Sequence, residues 1–353
     1  MVKALFGGYA RGYALLAALA VLSILLSYFL FGRSIEDFRI LPGKDLLVLL
    51  VAPFLLSLAS LVLKLMRRRS EHPGKVILRV FRRQKFWVAR TFIALTIYFI
   101  VTQGFGAFKP RISLIQPFYA DRYIADFENA LFFGTDPWRL THGIFGNFGT
   151  LVLDRIYMLF FVFVGLSIVV MATARDHAFQ LRALLTAFSI WIVLGVILAI
   201  ALSSVGPVFY EQYYGSDRFA PLVARLRDVD ASTPLSMIMI ADWLVTQADR
   251  GTFGSGISAM PSLHVAHTYF FLLITRHLTA MLLPRILMLV FFLAIWIGSV
   301  HLAWHYALDG LVSVICVSFF WYGSGKLVAW LGPDSHPATQ VAPSPHRGFP
   351  TKP

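Results

Sequence analysis

Five of the ten histidines fall within about forty residues, as His264, His267, His277, His301 and His305. An imidazole titrates near neutral pH, so it can pass a proton or, when neutral, attack an electrophile. Two of the five sit in phrases whose spacing suits that work. In Ser258-Ala-Met-Pro-Ser-Leu-His264, Pro261 and Ser262 fit the first turn of a helix, where outward-pointing amides make a ready anion site. Ser262 would add a hydroxyl and His264 a proton-transfer group. The same phrase also reads as an ordinary N-cap beside an interface histidine. In Ser299-Val-His-Leu-Ala-Trp-His305-Tyr-Ala-Leu-Asp309, His305 and Asp309 stand four apart and share a face on a helix. A carboxylate on one ring nitrogen fixes the tautomer and leaves the other nitrogen free as nucleophile or base. A structural His–Asp bridge between helices has the same spacing. No G-x-S-x-G elbow surrounds Ser262, so a serine hydrolase lacks its usual frame.

Elements that could hold these residues follow from the composition. Of the 353 residues, 58% are hydrophobic and only 14% charged, against about 25% charged in soluble domains. Such a chain cannot clothe a water-facing surface, and 32 phenylalanines exclude a disordered one. An integral membrane protein remains. Spans need about 20 mainly apolar residues. Runs of that kind are Tyr13–Phe31, Leu46–Leu65, Phe86–Gln103, Ile156–Thr173, Leu181–Ser204, Leu263–Thr279, Ile286–Leu302 and Ala307–Leu331. The fold expected is all-α, about eight transmembrane helices. The first run is too long for a signal peptide and reads as a retained anchor.

Orientation follows from charge. Residues 64–90 carry ten Lys/Arg and one acid, Glu71, which marks a cytoplasmic loop. Eight spans then place both termini in the cytoplasm. In that arrangement 19 of the 31 basic residues and 3 of the 18 acids are cytoplasmic, so the net +13 reports topology and lipid headgroups rather than nucleic acid. His264, His301 and His305 all fall on the outer side, His277 on the inner. Two segments of about 50 residues, Gly104–Arg155 and Val205–Pro261, lie outside, and their phrases suggest short amphipathic helices on the membrane. The tail from Gly332 is rich in Pro, Ser and His and reads as disordered. The chain's single cysteine, Cys316, excludes an intramolecular disulfide framework and a cysteine-based zinc site.

The two histidine motifs together resemble the type-2 phosphatidic acid phosphatase superfamily. The PSLH and WHYALDG phrases are most similar to its inositol-phosphorylceramide-synthase-like branch, an inositolphosphotransferase group. Two upstream stretches, FGAFKPRI…PFYADRYIADFENALFFGTDPW and SSVGPVFY, resemble bacterial members of that branch, and the likeness covers about 104–315. The apolar runs and charge give an N-terminal transmembrane pair with its basic loop over 1–85 and a disordered tail over 332–353, and the resemblance implies a six-helix catalytic domain over 86–331. The resemblance also implies a bacterial inner membrane with the active site on the extracytoplasmic face. By resemblance, His305 forms a phosphohistidine, Asp309 orients it, and His264 protonates the leaving alcohol and then activates water or an alcohol. Ser262 and neighbouring amides hold phosphoryl oxygens, and no metal or cofactor is required.

Two family cations are absent: a lysine six residues before an Arg-Pro, and an arginine six residues before the nucleophile, where Ser299 stands. Lys109, Arg111, Arg218 and Arg225 share the outer side, and Arg218 and His301 are expected to bind the phosphate. The substrate expected is a membrane lipid phosphate or phosphodiester, with a lipid or alcohol acceptor, or water. Head-group transfer of a phosphoinositol-like group and plain dephosphorylation both stay open. So do a metal-dependent hydrolase built on His264, His301, His305 and Asp309, and a non-catalytic lipid transporter or scaffold.

Overall fold

The structure, a computed structural model, describes residues 1–31, 66, 72–247 and 256–332. Among them no strand occurs, and most residues are helical. A short helix, α1 (Val2–Phe6), leads into α2 (Ala10–Phe31), and α3 covers Pro73–Phe108 with proline in its first turn. Two short helices, α4 (Asp121–Leu131) and α5 (Pro137–Ile144), precede α6 (Asn147–Thr173). Next comes α7 (His177–Ala201), opened by Asp176, whose carboxylate accepts from the Ala178 amide at 2.9 Å. It widens to π geometry over Ser189–Leu198, beside the histidine site, where such widening often occurs. Two more short helices, α8 (Ala220–Ser232) and α9 (Ser236–Gln247), lead to α10 (Leu263–Leu278), α11 (Leu282–His301) and α12 (Ala307–Leu331).

Among the described residues six stretches are long and apolar enough to cross a membrane: α2, residues 82–115 including most of α3, α6, α7, α11 and α12. The chain is thus a multi-pass integral membrane protein. The sixth predicted run appears as α10, whose 16 residues fall short of an ordinary span. It is instead enclosed by protein, packing on α6, α11 and α12. The predicted run Leu46–Leu65, most of the basic loop and the tail lie outside the described residues.

Polarity sorts the outer faces as lipid requires. Phe29, Phe161, Val162, Leu287 and Phe319 are all exposed, and the apolar core lies between the helices. That core has two layers along the bundle. One joins α2, α3, α7 and α10 through Leu16, Ala94, Leu181 and Phe270; the other lies at the histidine end, around Tyr157, Leu226 and Tyr306. The first layer's end carries Arg90, bonded to the Ala174 carbonyl at 2.7 Å, and His277, stacked on Phe179 at 4.8 Å. The N-terminus of α2 and the C-terminus of α12 meet there too, through Gly12 and Leu331, so both lie opposite the other histidines.

The phrase FENALFFGTDPW forms short helices, as expected, and α4 turns its apolar face outward. Its buried face carries Asp121, Ile124, Ala125 and Glu128, while Tyr123, Phe127 and Leu131 face outward. An aromatic outer face suits the headgroup boundary, and it frees the two acids to bond inward.

Candidate functional site

A single strap organises the histidine end. In Ser203-Ser204-Val205-Gly206-Pro207, the Ser203 carbonyl accepts from the Tyr119 and Ala120 amides, both at 3.1 Å. Ser204 accepts from Ala259 through its carbonyl and from Met260 through its hydroxyl, both at 2.9 Å. One residue past the proline, the Val208 amide donates to the Ala303 carbonyl at 2.8 Å. Three segments distant in sequence are thereby tied at one level. Gly206 has φ 85°, and a Cβ there would also meet the Trp304 carbonyl, so only glycine fits.

His305 does not sit on a helix. The chain leaves α11 through Ala303, at φ 64°, and the Trp304 and His305 amides both close onto the Ser299 carbonyl at 3.0 Å. Helix α12 starts only at Ala307, so His305 and Asp309 meet across the cap rather than along a helical face. Asp309 Oδ2 accepts from the Tyr306 amide and from His305 Nδ1, each at 3.1 Å. The carboxylate therefore caps the helix and holds the imidazole, leaving His305 Nε2 available. Both side chains are buried, and Asp309 Oδ1 has no partner among the described residues.

Opposite stands His264 in the first turn of α10. Ser262 is the N-cap: its hydroxyl accepts from the Val265 amide at 3.4 Å, and its own amide approaches the Asp309 carbonyl. Ser313 bonds the carbonyls of Ser262 and Asp309 at 2.9 and 2.7 Å, riveting α10 to α12. Tyr157 and Phe160 of α6 pack on the His264 ring at 4.7 and 4.3 Å. The His264 and His305 rings lie 5.9 Å apart at 61° and border one cavity of about 100 Å³. A group placed between them has a nucleophile on one side and a proton donor on the other.

Among the described residues one Lys or Arg borders this cavity. Lys109, just past the C-terminus of α3, lines it together with Ser258, Pro261 and Trp304. Its ammonium makes no ion pair among the described residues, and Gly256 presses so closely on the Lys109 carbonyl that a Cβ would overlap it. Arg218 is elsewhere. It pairs with Asp126 at 2.5 Å and Asp136 at 3.1 Å, and binds α4 to the chain ahead of α8. His301 is buried away from the cavity. Its Nε2 bonds Thr150 at 2.8 Å and its Nδ1 Thr141 at 3.1 Å, and its ring stacks on His142 at 3.7 Å. Arg111 lies over the Phe31 ring, and Arg225 does not border the cavity. The structure thus brings His264, His305 and Asp309 together with Lys109, keeps Ser262 as a cap, and does not bring Arg218 or His301 to the cavity.

Two buried acids of α4 support the arrangement and were not legible as such. Asp121 accepts from the Val205 and Gly206 amides and from the Tyr214 and Tyr306 hydroxyls, at 2.8 to 2.9 Å. Glu128 accepts from the Leu308 amide at 3.1 Å and so caps α12 from a distant segment. Burial, helped by nearby Asp309, raises the Glu128 carboxyl from an ordinary 4.5 to about 8. The folded state then holds this proton more tightly than the unfolded chain, so stability falls as pH rises from about 4.5 to about 8. Glu128→Gln keeps an acceptor for Leu308 and should flatten that slope. Melting temperatures in detergent at pH 6 and pH 9 check this; parallel curves for the two proteins would contradict it.

Fold and site together define a membrane-embedded acid–base centre in which two histidines flank a small cavity beside a lysine. The chain belongs to the PAP2 superfamily, which matches residues 122–322. Membership makes it a membrane enzyme of lipid-phosphate hydrolysis or transfer. Comparison with curated proteins and with solved structures gives no match.

Proposed function

We propose that this protein transfers a phosphoryl or phosphodiester group from a lipid through a phosphohistidine on His305. The observation that carries the reading is the convergence of His264, His305 and Lys109 on one cavity. His305 Nε2 attacks phosphorus as the P–O bond to the lipid breaks, and His264 gives its proton to the departing oxygen. His264 then takes a proton from water or an alcohol, whose oxygen attacks the phosphohistidine and frees the enzyme. Asp309 holds the tautomer and balances the imidazolium. Lys109 and the amides of the first turn of α10 stabilise the phosphoryl oxygens, so no metal is needed for charge.

For the incoming group we take water, which a cavity of about 100 Å³ admits beside the phosphoryl group. The second reading, transfer of a phosphoinositol-like head group to a lipid hydroxyl, rests on the PSLH and WHYALDG phrases. Purified protein with labelled lipid phosphates and phosphodiesters, with and without alcohol acceptors, separates them. Free phosphate as sole product sinks transfer; a moved head group sinks simple hydrolysis. Activity should survive EDTA, and loss on chelation with rescue by zinc would sink the metal-free mechanism.

The same reading places the histidine end on the extracytoplasmic side, with both termini cytoplasmic, on the strength of the basic loop. A reporter fused to the C-terminus should signal from the cytoplasm; an extracytoplasmic signal would put the site on the wrong face.

A further inference from the structure

A second cavity adjoins the first. It encloses about 410 Å³ and shares Lys109, His264, Leu263 and Trp304 with the polar cavity, but not His305. Its remaining walls are apolar or aromatic: Tyr157, Phe160 and Phe161 from α6, Trp191 from α7, and Ile240 and Trp243 from α9. Phe161 and Trp243 are themselves exposed on the outside of the bundle, at 58% and 44%, so the rim lies between α6 and α9. The α9 wall is anchored: Asp154 of α6 accepts from the Ser236 and Met237 amides at 3.1 and 2.9 Å.

We propose that this chamber holds one hydrocarbon chain of the lipid, borne by the alcohol oxygen that His264 serves, and that the chain arrives sideways between α6 and α9. The proposal rests on the phosphotransfer reading and adds where the lipid lies. His264 borders both cavities and His305 only the polar one, so the phosphorus belongs near His305 and the ester oxygen at the shared wall. Beyond that oxygen lies the apolar chamber. A polar head group there would lose its water to aromatic rings with no matching partners, at a large desolvation cost. A hydrocarbon chain loses nothing, because it leaves one apolar surroundings for another. Selectivity therefore comes from shape: one chamber admits one chain, so a single-chain phosphate fits wholly, while a second chain stays outside in the lipid.

An alkyl phosphate carrying a photoactivatable diazirine midway along its chain tests this with the intact protein in detergent. Labelling should fall on residues 157–161 and 237–244 and be competed by plain dodecyl phosphate. Labelling confined to outward residues such as Leu287 and Phe319, without competition, would overturn the proposal. In parallel, Ile240→Trp of α9 and Met158→Trp of α6, whose side chain also lines the chamber, narrow it from two different helices. Each should lower the ratio of dodecyl phosphate to p-nitrophenyl phosphate turnover by about tenfold, the scale of an overpacked apolar site. An unchanged ratio in both variants would also overturn it. Turnover of p-nitrophenyl phosphate by the wild type with no chamber labelling sinks the proposal and leaves phosphotransfer standing. Chamber labelling in a wild type that turns over neither compound sinks phosphotransfer instead.

Discussion

His305→Ala should abolish turnover, lowering kcat by ~10⁴-fold or more, as loss of a covalent nucleophile does. The argument depends on the backbone not needing the side chain. The turn that presents His305 is closed by the Trp304 and His305 amides on the Ser299 carbonyl and by Val208 on Ala303, all main-chain bonds that alanine preserves. The Asp309 carboxylate also keeps its bond from the Tyr306 amide, so α12 stays capped. Alanine thus removes the imidazole and little else, and the variant should reach the membrane folded. Asp309→Asn is milder in bulk yet still severe, with a loss of ~10³-fold, because an amide can turn its NH₂ to His305 and stabilise the wrong tautomer. Initial rates on a lipid phosphate, set beside melting temperatures of the same preparations, check both. A His305→Ala protein within tenfold of wild type would leave the proposed mechanism without its nucleophile.

Much of this was legible because lipid imposes a simple rule on sequence. Apolar runs gave the spans, and their ends placed His264, His301 and His305 at one level, since a helix has no other way to satisfy its backbone in a bilayer. The pairing of His305 with Asp309 was also visible, but for a different reason than helical spacing. The contact arises because Asp309 is the third residue of α12 and reaches back over the cap. Spacing of four fits both geometries, so sequence alone cannot separate them.

Partners far apart in the chain were not legible. Arg218 looked available because nothing near it in sequence is acidic enough to hold it, apart from Asp217. Its actual partners, Asp126 and Asp136, lie 92 and 82 positions away. The inward bonds of the α4 acids were illegible for the same reason: Asp121 meets the Val205 and Gly206 amides 84 and 85 positions away, and Glu128 the Leu308 amide 180 positions away. Tyr123, Phe127 and Leu131 face outward, as a helix lying on the membrane requires. SSVGPVFY carried a family likeness whose physical content, a strap joining three segments, appears only once the chain is folded.

Lys109→Met should lower kcat/KM by ~10²- to 10³-fold, the range found when a preorganised donor to a developing oxyanion is lost. The family match begins at residue 122, so the case for Lys109 rests on position alone. Among the described residues it is the Lys or Arg that borders both cavities. There a positive charge meets phosphoryl oxygens in surroundings that screen it poorly, which strengthens it relative to any exposed arginine. Methionine matches the stem in length and apolar character, so the walls that Lys109 shares with Phe105 and Trp304 should survive while the charge is lost. Arg218→Ala supplies the contrast. It removes two ion pairs that hold α4 in place, so its expected effect is a lower melting temperature with kcat/KM changed less than tenfold. Lys109→Arg should not restore full activity, because a planar guanidinium is larger than the ammonium in a cavity of about 100 Å³ and Gly256 already pins the backbone beneath it. Steady-state kinetics on all three variants with one lipid phosphate decide the matter. If Arg218→Ala were inactive at an unchanged melting temperature and Lys109→Met fully active, the phosphate would be held by the arginine, and the cavity beside Lys109 would not be where the chemistry occurs.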